Sequence, residues 1–277
     1  MIALTRWVGA YSWAPHVLSI ELKKVFSYRV AFWAQFLMGT GTELAVAYFV
    51  WKAVFAATGA TELGGFSFHG LVFYSLFANF SSKITRGTDR GYIAVEIYDG
   101  SITRYLLYPL PFFPYKYVTH ITQQLLGVTQ LLIALAFVFF FIGDTGGQPL
   151  SLGSFAAGVL TCFLAGYLHF VMASCLELVG FWQDVIWNLM VMLRFCISLL
   201  GGGMVPLTLF PEWGQRVAHL TPFATLVNFP ARTFLGQVGP HEWLWNVGLL
   251  VAWSVPFTFL LGWIWRRGTK QYSGVGQ

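Results

Sequence analysis

Apolar residues fall along the chain in six blocks, at about 30–56, 66–82, 117–142, 153–181, 185–204 and 244–265. Each is near the length a helix needs to cross about 30 Å of hydrocarbon, and the pattern predicts six membrane-spanning helices. Ahead of them, Leu18, Leu22 and Val25 recur at helical spacing over residues 12–29, with Lys23, Lys24 and Arg29 able to reach lipid phosphates. This predicts an amphipathic helix on the membrane surface, with Trp7 and Trp13 as interfacial anchors; an ordinary flexible leader is the alternative. Pro15, His16, Glu21, Lys23 and Lys24 break any apolar run before residue 30, so no signal peptide is expected. Residues 143–149 read as a turn, and 180–184 as a tight connection on the opposite side.

Two connections are not simple loops. Residues 83–116 interleave Lys83, Arg86, Arg90, Arg104 and Lys116 with Asp89, Glu96 and Asp99. Hydrocarbon cannot hold so many charges, each costing about 2.5–3.5 kcal/mol near a bilayer centre. The stretch therefore lies in water or at the headgroups. Ile93, Ile97, Leu106 and Leu107 give it one apolar face, and it reads as the contact through which a cytosolic partner drives the membrane part. Residues 201–243 are too apolar for a free loop, yet Gly201-Gly202-Gly203, Pro206, Pro211, Pro222 and Pro230 interrupt any single spanning helix. Short helices that enter the outer leaflet and return fit this pattern, and so does a capping lid without a transport role.

Composition supports one embedded domain over residues 1–277. The chain is 57% hydrophobic and 10% charged, with a mean hydropathy of +0.65, against about 25% charged residues in a soluble domain. Its net charge of +5 follows the positive-inside rule and does not indicate nucleic acid. Arg6, Lys23, Lys24 and Arg29 precede the first block, five more bases lie in 83–116, and Arg266, Arg267 and Lys270 follow the last. The other side holds only Lys52, Arg216 and Arg232, so both termini and the polar hairpin are expected in the cytosol. Cys162, Cys175 and Cys196 sit in apolar runs, as small packing residues in a reduced setting.

Polar and small residues recur every fourth position inside the blocks: Gln35, Gly39, Glu43 and Ala47; Gln123, Gly127, Gln130 and Ala134; Gly158, Cys162 and Gly166; Thr161, Ala165, His169, Ala173 and Glu177; Arg194, Ser198 and Gly202. Such stripes let helices approach, and are expected to face inward. Glu43 and Arg194 fall at compatible depths and are expected to pair, directly or through a third polar group, since either charge alone in hydrocarbon is expensive. Locking the bundle is one role for such a pair, and handling substrate or protons is another. His169 either relays protons with Glu177 or donates to a neighbouring helix. No phosphate loop, HExxH, GxSxG or CxxC occurs, so no catalytic or metal-binding constellation is expected.

Short motifs carry a resemblance. Ile97-Tyr98-Asp99-Gly100-Ser101-Ile102 and Leu106-Leu107-Tyr108-Pro109-Leu110 resemble the pattern after the second span of ABC-2-type permeases. Gly202-Gly203-Met204-Val205-Pro206-Leu207, Phe210-Pro211-Glu212-Trp213 and Thr221-Pro222-Phe223 resemble their outer re-entrant segment. The tail Tyr272-Ser273-Gly274-Val275-Gly276 is similar to the ending of an uncharacterised bacterial branch. The resemblance implies an all-α permease subunit of an exporter in the bacterial cytoplasmic membrane. It would pair with a second, identical or homologous permease and bind two separate ABC ATPase subunits, which carry ATP and Mg. Arg90, Ile93, Glu96, Ile97, Asp99 and Arg104 then fall at the ATPase contact. Phe73, Phe77, Asn79, Met190, Arg194 and Ile197 fall on the translocation path. The rival readings are a secondary transporter or channel without an ATPase, served by Glu43, His169 and Arg194, and a membrane enzyme or scaffold.

Overall fold

A computed structural model describes residues 12–27, 29–87, 92–107, 110–142 and 151–272. Among them every regular element is a helix. The amphipathic leader forms α1 (Ala14–Ser27), and the first two apolar blocks form α2 (Arg29–Thr58) and α3 (Phe68–Arg86). The polar hairpin is α4 (Tyr92–Tyr98) and α5 (Ile102–Leu107); α6 (Phe112–Ile142) and α7 (Leu152–Glu177) follow, α7 ending in a 3-10 turn, Leu178–Phe181. After α8 (Trp187–Leu200) come the short α9 (Glu212–Leu220), α10 (Phe223–Leu226) and α11 (Asn228–Phe234), then the long α12 (Pro240–Gln271).

The helix starts are set by local chemistry. Ser67 caps α3 by accepting the Gly70 N–H, and Ser151 with Ser154 forms a reciprocal capping box on α7. Pro240 opens α12, where its missing N–H costs nothing. Three helical stretches, Phe112–Phe137, Leu152–Phe181 and Pro240–Gln271, are long and apolar enough to cross a membrane. α8 is apolar but has only 14 residues, about 21 Å of helix.

α7 is the hub, packed by α12, α11, α3 and α6. Both of its small-residue stripes are buried, from Gly158 and Thr161 to Glu177. Close approach explains why: a Cβ on Gly158 would stand 2.5 Å from the Phe234 ring, and one on Gly166 would meet the Gln124 amide. The stripe on α2 behaves differently. Gln35, Gly39 and Glu43 are exposed, while Phe36, Thr40 and Trp51 are buried. α2 rests mainly on α3, so its larger residues fill that seam and its small ones face away.

The broken segment 201–239 is packed into the bundle. The Tyr74 hydroxyl lies 2.9 Å from both the Gly202 carbonyl and the Asn228 side-chain oxygen. Deeper along α3, Thr85 donates to the Leu226 carbonyl, and Phe77 stacks on Phe234 at 5.1 Å. At the other end of the bundle, Trp13 on the approach to α1 contacts Tyr115, and Tyr272 after α12 reaches the α4–α5 hairpin. The start of α1, the hairpin and the end of α12 therefore share one end, where Lys24, Arg86, Arg104, Lys116, Arg266, Arg267 and Lys270 also gather.

Candidate functional site

The hairpin is short, and it is held down at several points. The turn between α4 and α5 needs a positive φ, supplied by Gly100 at +76°, and the Ser101 N–H donates to Asp99 at 2.8 Å. Hydrogen bonds from Ser101, the hydroxyl first and then the backbone N–H, hold the Asp99 carboxyl below its ordinary value. Asp99 therefore stays an anion at the exposed tip.

Beneath the tip, each helix is clipped to the bundle. The buried Glu177 at the end of α7 accepts the Ile93 N–H at 2.8 Å, satisfying one of the open donors in the first turn of α4. Lys116 at the start of α6 bonds Glu96 at 2.5 Å and sits 4.2 Å from the centre of the Tyr105 ring. Burial, and then the Glu96 carboxylate, pushes the Tyr105 hydroxyl above its ordinary value. A cavity of about 350 Å³ remains underneath, lined by Glu96, Lys116, His120, His169 and Glu177.

This geometry sorts the residues expected at the partner contact. Ile93, Glu96 and Ile97 are turned into the bundle and fasten the hairpin, while Asp99 and Arg104 face outward. Arg90 lies outside the described residues, as does the Leu106 side chain. Leu107 does not share the docking face, being 79% exposed; Ile102 takes that place. Val95 and Tyr98, which alternate with the buried isoleucines on α4, complete the outer face. Their helical offset from Ile93 and Ile97 was the signal that could have found them.

Of the residues expected along the path, Phe73, Phe77, Met190 and Ile197 are buried in the core of this chain. Asn79 donates to Glu43. Arg194 lies over the Trp187 ring at 4.9 Å, in a groove of about 230 Å³ shared with Tyr98 and Asp184. His169 is buried with its ring 6.3 Å from that of His120, and neither of its nitrogens has a hydrogen-bond partner among the described residues. Glu177 accepts the Ile93 N–H.

Among the described residues Glu43 makes no direct contact with Arg194. Glu43 pairs with Lys83 at 2.8 Å, and Lys83 also donates to Thr40 at 3.2 Å. α2 and α3 are neighbours joined by the short connection 59–67, and the two charges stand equally far from it, about 22 Å along each helix. They therefore meet at one level. The Glu43 side chain remains 47% exposed. Reversing either charge alone should lower the yield of folded protein, because it sets two like charges together in a setting where one costs about 2.5–3.5 kcal/mol. The double reversal, Glu43→Lys with Lys83→Glu, should recover most of that yield by size-exclusion profile; no recovery would dismiss the pair as a determinant of folding.

These features define a helical bundle with membrane-crossing helices, which presents a fastened hairpin at one end. Residues 42–276 match the family described as ABC-2 family transporter protein. The chain belongs to that family, and is a multi-pass membrane protein of the transporter class. Comparison with curated proteins and with solved structures returns no match.

Proposed function

We propose that this chain is the permease subunit of an ATP-driven exporter in the bacterial cytoplasmic membrane. Six spans, with α2, α3 and α8 joining the three longest apolar stretches, put both termini and the α4–α5 hairpin in the cytosol. Residues 201–239 re-enter the outer leaflet, where their backbone is packed on protein. The chain pairs with a second permease, its copy or a homologue, and with two ATPase subunits that bind ATP and Mg. It performs no hydrolysis itself.

One observation carries this reading. The hairpin presents Val95, Tyr98, Asp99, Arg104 and Leu107 outward, while its inner face is anchored to α6 and α7. An exposed apolar and charged face on a short, fastened element suits a partner that pushes. Cargo would pass between protomers beside α3 and α8, near Asn79 and Arg194, with the half-exposed Glu43–Lys83 pair facing that path.

The test is co-purification of the tagged chain with an ABC ATPase expressed alongside it. The triple variant Tyr98→Ala, Asp99→Ala and Arg104→Ala should lose at least about tenfold in ATPase binding, as expected when a central aromatic is truncated, while its melting temperature stays near that of the parent. Undiminished binding by the variant would remove the hairpin from the contact. Transport by the purified chain in liposomes lacking any ATPase would instead favour a secondary transporter.

A further inference from the structure

The α4–α5 hairpin is also tied to the far end of the chain. Tyr272 caps α12, its N–H bonding the Gly268 carbonyl at 3.1 Å. Its hydroxyl donates to the Gly100 carbonyl at 3.2 Å and lies 3.0 Å from the Thr103 hydroxyl. One contact falls on the turn between α4 and α5, the other on the first turn of α5. The last turns of α12 are themselves pinned to the bundle. Phe181 packs between Tyr272 and Trp265, with ring centres 6.1 Å from each, and Trp265 stacks on Phe112 at 4.8 Å. Gly268 makes this approach possible, because a Cβ there would stand 2.1 Å from the Phe181 ring.

We infer that Tyr272 is a positioning residue that couples the hairpin tip to α12, so that force applied at the tip moves the last helix directly. Phe181 and Trp265 would hold an aromatic ring at residue 272 without any hydroxyl. The hydroxyl adds a bond to each side of one turn, and those bonds respond to where the tip stands. Glu177 and Lys116 tie the body of the hairpin to α7 and α6; Tyr272 alone among the described residues ties its tip to α12. A displacement of the tip that leaves α6 and α7 in place is thereby passed to α12, whose other end is tied to α11 by the Arg232–Glu242 pair.

The inference rests on the proposed coupling to an ATPase, and its test separates the two. The full complex is held in lipid nanodiscs and compared, with and without ATP plus vanadate, by hydrogen exchange of the hairpin and of α12. In the parent complex, trapping should change exchange in both. In Tyr272→Phe the hairpin should still respond, while the response of α12 falls about tenfold, because both hydrogen bonds of the hydroxyl are removed. Thr103→Val should reduce the α12 response in the same direction, and combining the two variants should add little. An α12 response in Tyr272→Phe equal to that of the parent overturns the inference alone. A parent hairpin that ignores trapped nucleotide overturns the coupling reading, and this inference with it. A purely structural role would lower protection of α12 before any nucleotide is added, and that outcome also overturns it.

Discussion

Replacing Glu177 with alanine will release the α4–α5 hairpin from the bundle. The carboxylate is buried and accepts the Ile93 N–H at 2.8 Å. Alanine leaves that donor without its acceptor, at a cost of about 1–3 kcal/mol. It also opens space beside the existing cavity, and the side-chain atoms removed had filled it. Together these exceed what a seven-residue helix can recover from its own hydrogen bonds, since isolated helices that short are not stable in water. Limited proteolysis should then cut within residues 92–107 at least about tenfold faster, following the population of the open form. Glu177→Gln keeps an oxygen that can accept the same N–H and should remain close to the parent. If alanine leaves the hairpin as resistant as before, Glu177 is not its anchor, and Glu96–Lys116 must suffice.

The second large effect is expected at Gly202. Its φ is +78°, and a Cβ would stand 2.8 Å from the Tyr74 hydroxyl and 3.3 Å from the Asn228 Cβ. Gly65 has nearly the same φ, +80°, but nothing within 4 Å of an added Cβ. Gly65→Ala therefore measures the backbone term alone, about 1–2 kcal/mol. Gly202→Ala adds the displacement of a buried hydroxyl from two oxygens, for a total of roughly 3–4 kcal/mol. The rate of thermal inactivation in detergent, rather than a single melting temperature, is the measure for a protein that unfolds irreversibly. Equal rates for the two variants would show that Tyr74 does not lock the 201–239 segment to α3.

Much of this architecture could be read from the chain before any coordinates. All six apolar blocks became helices, and Gly201–Gly203, Pro206, Pro211 and Pro222 fall at breaks between short ones, while Pro230 lies inside α11. Ile93 and Ile97 face the bundle because four-residue spacing puts them on one side of a helix whatever its surroundings. The inward stripes of α7 were legible for a related reason: a helix with small residues on adjoining faces approaches neighbours on both. The same signal misled on α2. A stripe shows where another helix can come close, and among the described residues α2 rests mainly on α3.

Pairing was not legible in the same way. Lys83 sits at the margin of an apolar block and was counted with the polar hairpin, yet α3 continues to Arg86 and carries it to the level of Glu43. Which cation meets a buried-level carboxylate depends on helix order and register, and neither is written in hydropathy. Tyr272 gave less signal still, as one aromatic near the end of the chain.

Local pattern by itself determined what each segment would be: helix, break, or charged hairpin kept out of hydrocarbon. Those outcomes follow from backbone geometry and from the cost of burying charge, which act over a few residues at a time. Tertiary structure alone decided who meets whom, Glu43 with Lys83, Glu177 with Ile93, Tyr272 with the turn at Gly100. Those contacts join residues 40, 84 and 172 positions apart, and only the packing of whole helices brings such distances to a hydrogen bond.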